Sequence, residues 1–122
     1  MIIRETMLNV ADNSGAKQVL CIGIPGGTGK RYATVGDKIK VSVKKAAPKS
    51  NVKKKEVLDA VVLRTKKPIR RPYGTSISFS DNAVAIIDKN GEPRATRILG
   101  PIAREVRDKG YSKVASLSKE IY

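Results

Sequence analysis

The chain has 122 residues, no histidine, no tryptophan and a single cysteine, Cys21. Its 25 Lys and Arg residues against 11 Asp and Glu residues give a formal net charge of +14. This length predicts one domain with one modest core, and this charge predicts a polyanionic partner. Without His and with one Cys, the composition excludes His-based catalysis, an internal disulfide and a zinc site built from Cys or His.

Short apolar runs separated by turn residues predict a closed or sandwiched β-structure. We expect strands at residues 6–11, 17–24, 38–44, 56–64, 76–80, 83–88 and 94–98. In the third of these, Ile39, Val41 and Val43 alternate with polar residues and predict one apolar and one basic face. The fourth is nearly continuous in apolar character, which is typical of a strand buried on both faces.

The segment PIAREVRDKG near the carboxyl terminus has a helical pattern instead. Pro101 suits the first helical position, and Gly110 suits the residue just beyond the helix end. Glu105 and Lys109 are four residues apart in the favourable order for an ion pair. A second short helical turn is expected at 112–117. The whole pattern predicts five or more strands in a small barrel, followed by one or two short helices.

The positive charge is concentrated in one part of the chain. Residues 38–71 hold 13 Lys and Arg against two acids, whereas the other 88 residues hold 12 against nine. Within this region, 45–55 and 66–75 lack periodicity and are predicted to be two basic excursions, the second kept out of a helix by its prolines. Such local self-repulsion would be relieved by an anionic partner; a solvated basic face without a partner is the alternative.

Other candidate sites are weaker. The glycine-rich loop at 26–31 does not match a phosphate-binding P-loop, because Ile24 and Arg31 occupy the positions of its first Gly and its Ser or Thr. Lys30 and Arg31 could still contact a nucleic-acid phosphate.

No pair of acids is marked by its spacing as an acid–base couple, so a carboxylate-only hydrolase is an alternative without positive support.

Cys21 lies in the apolar run VLCIGI, where a buried and unreactive thiol is expected. This run is also the longest apolar one and is too short to span a bilayer. The amino-terminal MIIRETMLNV lacks the order of a signal peptide. These features predict a reducing, aqueous compartment.

The five aromatic residues of the chain are too few to form an obvious stacking platform. Only Tyr73 lies inside a basic excursion. Proteins that bind single-stranded nucleic acid usually offer several stacking rings, so the composition favours a folded nucleic acid held through its backbone and shape. A freestanding binder of single strands is the alternative.

Four motifs resemble one family, the universal fourteenth protein of the large ribosomal subunit in its bacterial or organellar form. They are LNVADNSGAK at 8–17, RYATVGDKIKVSVKKA at 31–46, AVVLRTKKPIRRPYG at 60–74 and ATRILGPIAREVRDK at 95–109. The resemblance covers essentially the full chain. It implies a mainly β fold, a small closed five-stranded β-barrel with a projecting β-ribbon and one or two short C-terminal α-helices. The single domain would divide into a barrel over about 1–98 and a helical region over about 99–122.

The resemblance implies a non-enzymatic, structural constituent of the large ribosomal subunit. Such a protein binds large-subunit rRNA through its basic loops and contributes to inter-subunit bridges with small-subunit rRNA. Its protein partners would be the third and the nineteenth large-subunit proteins and a ribosome silencing factor. We expect no cofactor, no metal, no membrane and no small-molecule substrate. The expected location is the cytoplasmic ribosome, or the matrix or stroma of an organelle.

Carried over residue by residue, the resemblance implies two sets of binding residues. The rRNA-binding set is Lys44, Lys53, Lys54, Arg64, Lys66, Lys67, Arg70 and Arg71, with Lys30, Arg31 and Arg97 as a second tier. The docking set for the silencing factor is Thr96, Arg97 and Lys113. The chain departs from the family at the tip of the basic hairpin, where Tyr73-Gly74 replaces the usual Asp-Gly, and at its end, where SLSKEIY replaces SLAPEVL.

Overall fold

The computed structural model describes residues 2–25, 32–48 and 54–122. The glycine-rich loop with Lys30 and Arg31, and the part of the first basic excursion that contains Lys53, lie outside the described residues. The elements are β1 (Met7–Val10), β2 (Ala16–Gly23), β3 (Lys38–Ala46), β4 (Val57–Arg64), β5 (Ile69–Arg70), β6 (Ser76–Ile77), β7 (Ala83–Ile87), α1 (Glu105–Asp108) and α2 (Ser112–Ser116).

Five of these strands form the predicted closed barrel, in the order β1–β2–β3–β4–β7. β1 and β7 pair in parallel and close it, whereas the other four pairings are antiparallel. The alternation in β3 is confirmed, since Ile39, Val41 and Val43 are fully buried while Lys44 is exposed. β4 carries a buried run from Ala60 to Leu63, and all of β7 is buried. The barrel core therefore follows directly from the apolar pattern of the strands.

The turn between β1 and β2 is built around the buried carboxylate of Asp12. Its Oδ1 accepts hydrogen bonds from the Ser14 hydroxyl at 2.6 Å and the Ser14 backbone N–H at 3.1 Å. Its Oδ2 accepts the backbone N–H of Ile86 at 2.8 Å. One side chain thus closes a predicted turn and fastens it to β7, since a buried carboxylate needs such donors.

Strands β5 and β6 form the predicted ribbon, a separate two-stranded antiparallel sheet. Ile69 pairs with Ile77 and Arg70 pairs with Ser76. The strand expected at 76–80 is shorter than predicted, because it ends at Ile77. The chain then returns to the end of β4, where the Phe79 N–H donates to the Thr65 carbonyl at 3.0 Å. The ribbon therefore leaves and rejoins the barrel at one place.

The strand predicted at 94–98 does not form, so this prediction was wrong. Only Ile98 in this segment makes a bridge, to Asp12. The side-chain oxygen of Asn13 accepts the backbone N–H groups of Thr96 at 3.0 Å and Arg97 at 3.1 Å. Because an amide side chain takes the place of a neighbouring strand, these donors are satisfied without a ladder.

The first helix is shorter than its sequence pattern indicates. Pro101 is not its first residue, because α1 begins at Glu105. The intervening Ile102 instead forms a parallel bridge with Ile121, and its N–H donates to the Glu120 carbonyl at 3.0 Å. Gly110 does follow the helix end and has a φ of +103°, as a residue in this position requires.

The predicted ion pair between Glu105 and Lys109 was also wrong. Glu105 pairs with Arg71 of the ribbon at 2.8 Å, and Lys109 pairs with Asp37 at 3.0 Å. Glu105 at the start of α1 and Lys109 directly after its end therefore connect this helix to other parts of the fold. Pairing with a distant residue replaces pairing along the helix, which contributes only a few tenths of a kcal/mol in isolated helices, about 0.2–0.5.

Candidate nucleic-acid interface

The described cations of the predicted rRNA-binding set lie in two groups at the two ends of β4. At one end, the Val43 N–H donates to the Glu56 carbonyl at 2.9 Å, and the Lys55 N–H donates to the Val43 carbonyl at 2.7 Å. Lys44 and Lys54, on either side of these contacts, are both exposed. The ribbon cations lie beyond the other end, about 25 Å away for a strand of this length.

Arg64, at the end of β4, is held by protein groups. Its Nε donates to Asp81 Oδ1 at 2.7 Å and its Nη2 to Asp81 Oδ2 at 3.3 Å. Its Nη1 donates to the carbonyls of Leu99 at 3.1 Å and Pro101 at 3.0 Å. The hydrogen bond from Arg64 keeps the pKa of the Asp81 carboxyl below its usual value, although partial burial opposes the shift. Arg64 therefore joins β4, the start of β7 and the C-terminal segment.

Arg71 is held in a similar way by α1. Its Nε donates to Glu105 Oε1 at 3.1 Å, and its Nη2 donates to the same oxygen at 2.8 Å. Both side chains are largely covered, with Arg71 20% and Glu105 24% exposed. This forked contact fixes the ribbon against the C-terminal region, since a guanidinium and a carboxylate match in geometry.

Three other cations of this end have no such partner and are called the outer group: Lys66, Lys67 and Arg70. All three are exposed, and none lies within ion-pair distance of a carboxylate in the described part of the chain. The Lys66 charge also helps to lower the pKa of Asp81, but Arg64 is the cation that binds this carboxylate. Their backbone is nevertheless fixed. The Lys66 N–H donates to the side-chain oxygen of Asn82 at 2.9 Å, and the Thr65 hydroxyl donates to the Lys67 carbonyl at 3.0 Å. The outer group thus presents free charge on an ordered base.

Two further cations of the basic region are compensated within the barrel wall. Lys40 Nζ lies 2.6 Å from Asp59 Oδ1, and Lys38 Nζ lies 3.5 Å from Asp59 Oδ2. Burial of this carboxyl raises its pKa, but the two ammonium groups outweigh burial, and the pKa lies below its usual value. These lysines therefore neutralise a buried carboxylate.

The residues predicted to dock a silencing factor lie in the C-terminal part of the fold. Thr96 and Arg97 are exposed on the loop that Asn13 holds, where the Asn13 amide also donates to the Thr96 hydroxyl at 2.9 Å. Lys113 is exposed in α2, and its Nζ lies 2.6 Å from Glu92 Oε1. The hydrogen bond to Glu92 raises the pKa of Lys113. Among the described residues, no hydrogen bond or ion pair joins Lys113 to Thr96 or Arg97.

The alternative sites gain no support from the geometry. Cys21 is fully buried, and burial raises the pKa of its thiol, as expected of an unreactive core residue. Across residues 2–25, 32–48 and 54–122, no group of three or more Cys, Asp or Glu side chains could hold a metal ion. Within the same ranges no helix is long and apolar enough to cross a membrane.

The roles of Asp81 and Glu105 were not predicted from the sequence. Residues 60–80 contain no acid, so the five cations between Arg64 and Arg71 could find carboxylates only outside the ribbon. Asp81 is the first acid after that gap, and this position in the sequence could have indicated it as a partner for one of these cations. Glu105 lies 34 residues from Arg71, and its only apparent partner in the sequence was Lys109.

Comparison with known proteins identifies one family along the whole chain. The family described as "Ribosomal protein L14p/L23e" matches residues 1–122. The chain is also similar to a protein of Aquifex aeolicus (strain VF5) described as "Large ribosomal subunit protein uL14". The two are 54% identical over 121 residues, which cover 99% of each chain. The chain therefore belongs to the ribosomal protein L14p/L23e family, a family of structural, non-enzymatic ribosomal proteins.

Proposed function

We propose that this chain, a structural protein of the large ribosomal subunit, binds rRNA with the outer group and with the Lys44–Lys54 end of the barrel. The single observation that carries the proposal is the outer group itself. Lys66, Lys67 and Arg70 are exposed, form no ion pair with a described residue and lie in a segment without acids. Free cations on a fixed backbone favour a polyanion whose phosphates are themselves fixed.

The proposed mechanism is scaffolding. The closed barrel holds two cationic sites about 25 Å apart, so that one protein can contact phosphates of two rRNA segments. Lys44 and Lys54 would act as point charges, whereas Arg70 can present its planar fork to a phosphate. Because phosphate contacts carry no sequence information directly, shape and position would decide the binding site.

Arg64 and Arg71 support this function in another way than the sequence suggested. Their guanidinium groups are engaged by Asp81 and Glu105, so we propose that they position the ribbon, while the outer group contacts rRNA. Lys53, Lys30 and Arg31 remain proposed rRNA contacts outside the described residues, and Arg97 remains a proposed contact on the Asn13 loop.

The remaining proposed partners are carried over from the family resemblance. We propose contacts with small-subunit rRNA at inter-subunit bridges, with the third and nineteenth large-subunit proteins, and with a silencing factor at Thr96, Arg97 and Lys113. The exposure of these three side chains is compatible with docking. The proposed location is the ribosome of the cytoplasm, with an organellar ribosome as the alternative.

Sedimentation tests the central proposal. A cell lysate is fractionated on a sucrose gradient before and after a high-salt wash, and the chain is quantified by mass spectrometry. We expect one copy per large subunit, retained through the wash. Migration at the top of the gradient, or loss on washing, would contradict an integral role and would favour a freestanding binder of single-stranded nucleic acid.

A further inference from the structure

Tyr73 is the most exposed large apolar or aromatic side chain among the described residues. Its exposed fraction is 93%, against 51% for Tyr32 and Tyr122. An aromatic ring carries a large apolar surface, and an isolated ring held almost wholly in water gives no stability to the fold. Tyr73 therefore has no structural role in the chain by itself.

The loop that carries Tyr73 is ordered by its own hydrogen bonds. The Arg71 N–H donates to the Thr75 carbonyl at 2.9 Å, and the Gly74 N–H donates to the Arg71 carbonyl at 3.2 Å. Gly74 has a φ of +79°, and a Cβ there would meet nothing within 4 Å. Three loop residues ending in a left-handed glycine form a common tight hairpin connection, in which Pro72 restricts the backbone further.

The base of this hairpin is also fixed. Arg71 is clamped by Glu105, while Ile69 and Phe79 pack against the core. A ring on a pre-ordered support loses less conformational freedom on binding than one on a free loop. Tyr73 therefore projects into solvent from an ordered backbone.

The chemistry around the tip indicates what the ring contacts. The exposed Arg70 lies three residues before it, and no acid occurs between residues 60 and 80. An aromatic ring near an uncompensated cation suits a ligand that offers a π-face and negative charge together, which a nucleotide does. A protein surface would need its own acidic patch around an apolar pocket to match the same set of groups.

We infer that the ring of Tyr73 stacks on an unpaired base of rRNA while Arg70 contacts the adjoining backbone. This inference rests on the proposed function, because it names one contact within the proposed rRNA interface. It assigns to the tip a contact that depends on base stacking, in contrast to the phosphate contacts of the outer group. The two kinds of contact respond differently to salt, and this difference can be measured.

The first test compares the affinities of Tyr73→Ala and Tyr73→Phe for purified large-subunit rRNA at several salt concentrations. Tyr73→Ala should weaken binding by between about five-fold and a hundred-fold, the range for loss of one base stack, with an unchanged salt slope. Tyr73→Phe keeps the ring and should bind within about two-fold of the unmodified chain. Tyr122→Ala removes a half-exposed tyrosine far from the ribbon in sequence and should leave binding unchanged.

The second test uses intact large subunits that contain the unmodified chain. Ultraviolet cross-linking followed by mass spectrometry should recover the Tyr73 peptide joined to a nucleotide. Recovery of this peptide joined to another protein would overturn the inference. So would equal affinities of Tyr73→Ala and the unmodified chain. If the unmodified chain itself showed no salt-dependent binding to rRNA, the proposed function would fail together with the inference, whereas normal binding unaffected by Tyr73→Ala would defeat the inference alone.

Discussion

The two faces of the ribbon use the same kind of residue for different purposes. On the inner face, Ile69, Arg71 and Ile77 are half-buried, and the Arg71 guanidinium is paired with Glu105. On the outer face, Arg70 and Ser76 are exposed, and Arg70 has no carboxylate partner in the described part of the chain. Arg70 ends β5 and Arg71 follows it directly, so the two adjacent arginines point to opposite sides of the ribbon, and only Arg71 reaches Glu105.

Charge in the sequence is therefore not the same as charge available to a partner. Within the basic region, Lys38 and Lys40 form ion pairs with Asp59. Arg64 pairs with Asp81, and Arg71 pairs with Glu105. That compensated set stabilises the fold. The outer group forms no ion pair with a described residue, so its charge is available to a partner. The effective cationic surface is thus smaller and more localised than the composition indicates.

The largest effect should come from Arg64→Ala. This change removes the pair with Asp81 and two hydrogen bonds to backbone carbonyls, and it leaves a partly buried carboxylate without its cation. We expect the free energy of unfolding to fall by about 2–3 kcal/mol, measured by urea denaturation. The control is Arg97→Ala, an exposed arginine without an ion pair to a described residue, which should change stability by less than about 0.5 kcal/mol. Equal losses in the two variants would contradict the distinction between compensated and free cations.

A smaller effect should follow from Arg71→Ala. Its contact with Glu105 is only partly shielded from solvent, so we expect a loss of about 1 kcal/mol in the free energy of unfolding. A double-mutant cycle with Glu105→Ala measures the coupling between the two side chains. The coupling should account for most of the loss. A coupling energy near zero would mean that the ribbon is held to α1 by other contacts.

The smallest effect should appear as a pH dependence. Since the Arg64 hydrogen bond lowers the pKa of Asp81 in the folded chain, this carboxylate stabilises the fold fully above its unfolded pKa of about 4. The contribution is lost as the pH falls through the lower, folded value. The Asp81→Asn variant lacks this carboxylate contribution and should be less stable than the unmodified chain at neutral pH by about 0.5–1 kcal/mol.

Urea denaturation at a series of pH values measures this difference. The gap between the unmodified chain and Asp81→Asn should narrow as the pH falls below about 4. Asp59 also has a lowered pKa, but both proteins retain it, so its contribution cancels. A gap that stayed constant down to low pH would contradict a stabilising role for the ionised Asp81.

The barrel could be predicted because its signals are local. Alternation in β3 and the apolar runs of β4 and β7 depend only on neighbouring residues, and each strand formed within two residues of its expected bounds. The turn at Asp12 was predictable for the same reason. The reach of its carboxylate to Ile86 was not, because that contact joins residues 74 apart in the sequence.

The failures occurred where distant groups replaced local ones. Asn13 satisfies the backbone of Thr96 and Arg97, so no strand forms at 94–98. Ile102 forms a β-bridge with Ile121, so α1 starts after Pro101, at Glu105. In the candidate site, the sequence identified the cations but not their partners. Which cation is free depends on tertiary contacts that no periodicity encodes.

Whether the outer face of the ribbon binds RNA is tested by comparing Arg70→Ala with Arg71→Ala in the salt dependence of binding to purified large-subunit rRNA. The two variants remove the same charge from adjacent positions. We predict that Arg70→Ala lowers the magnitude of the slope of log K against log salt by about 0.7–0.9, the value for one lost phosphate contact, and that Arg71→Ala leaves the slope unchanged. A reduced slope in Arg71→Ala together with an unchanged slope in Arg70→Ala would contradict the assignment of the outer face to RNA and the inner face to the fold.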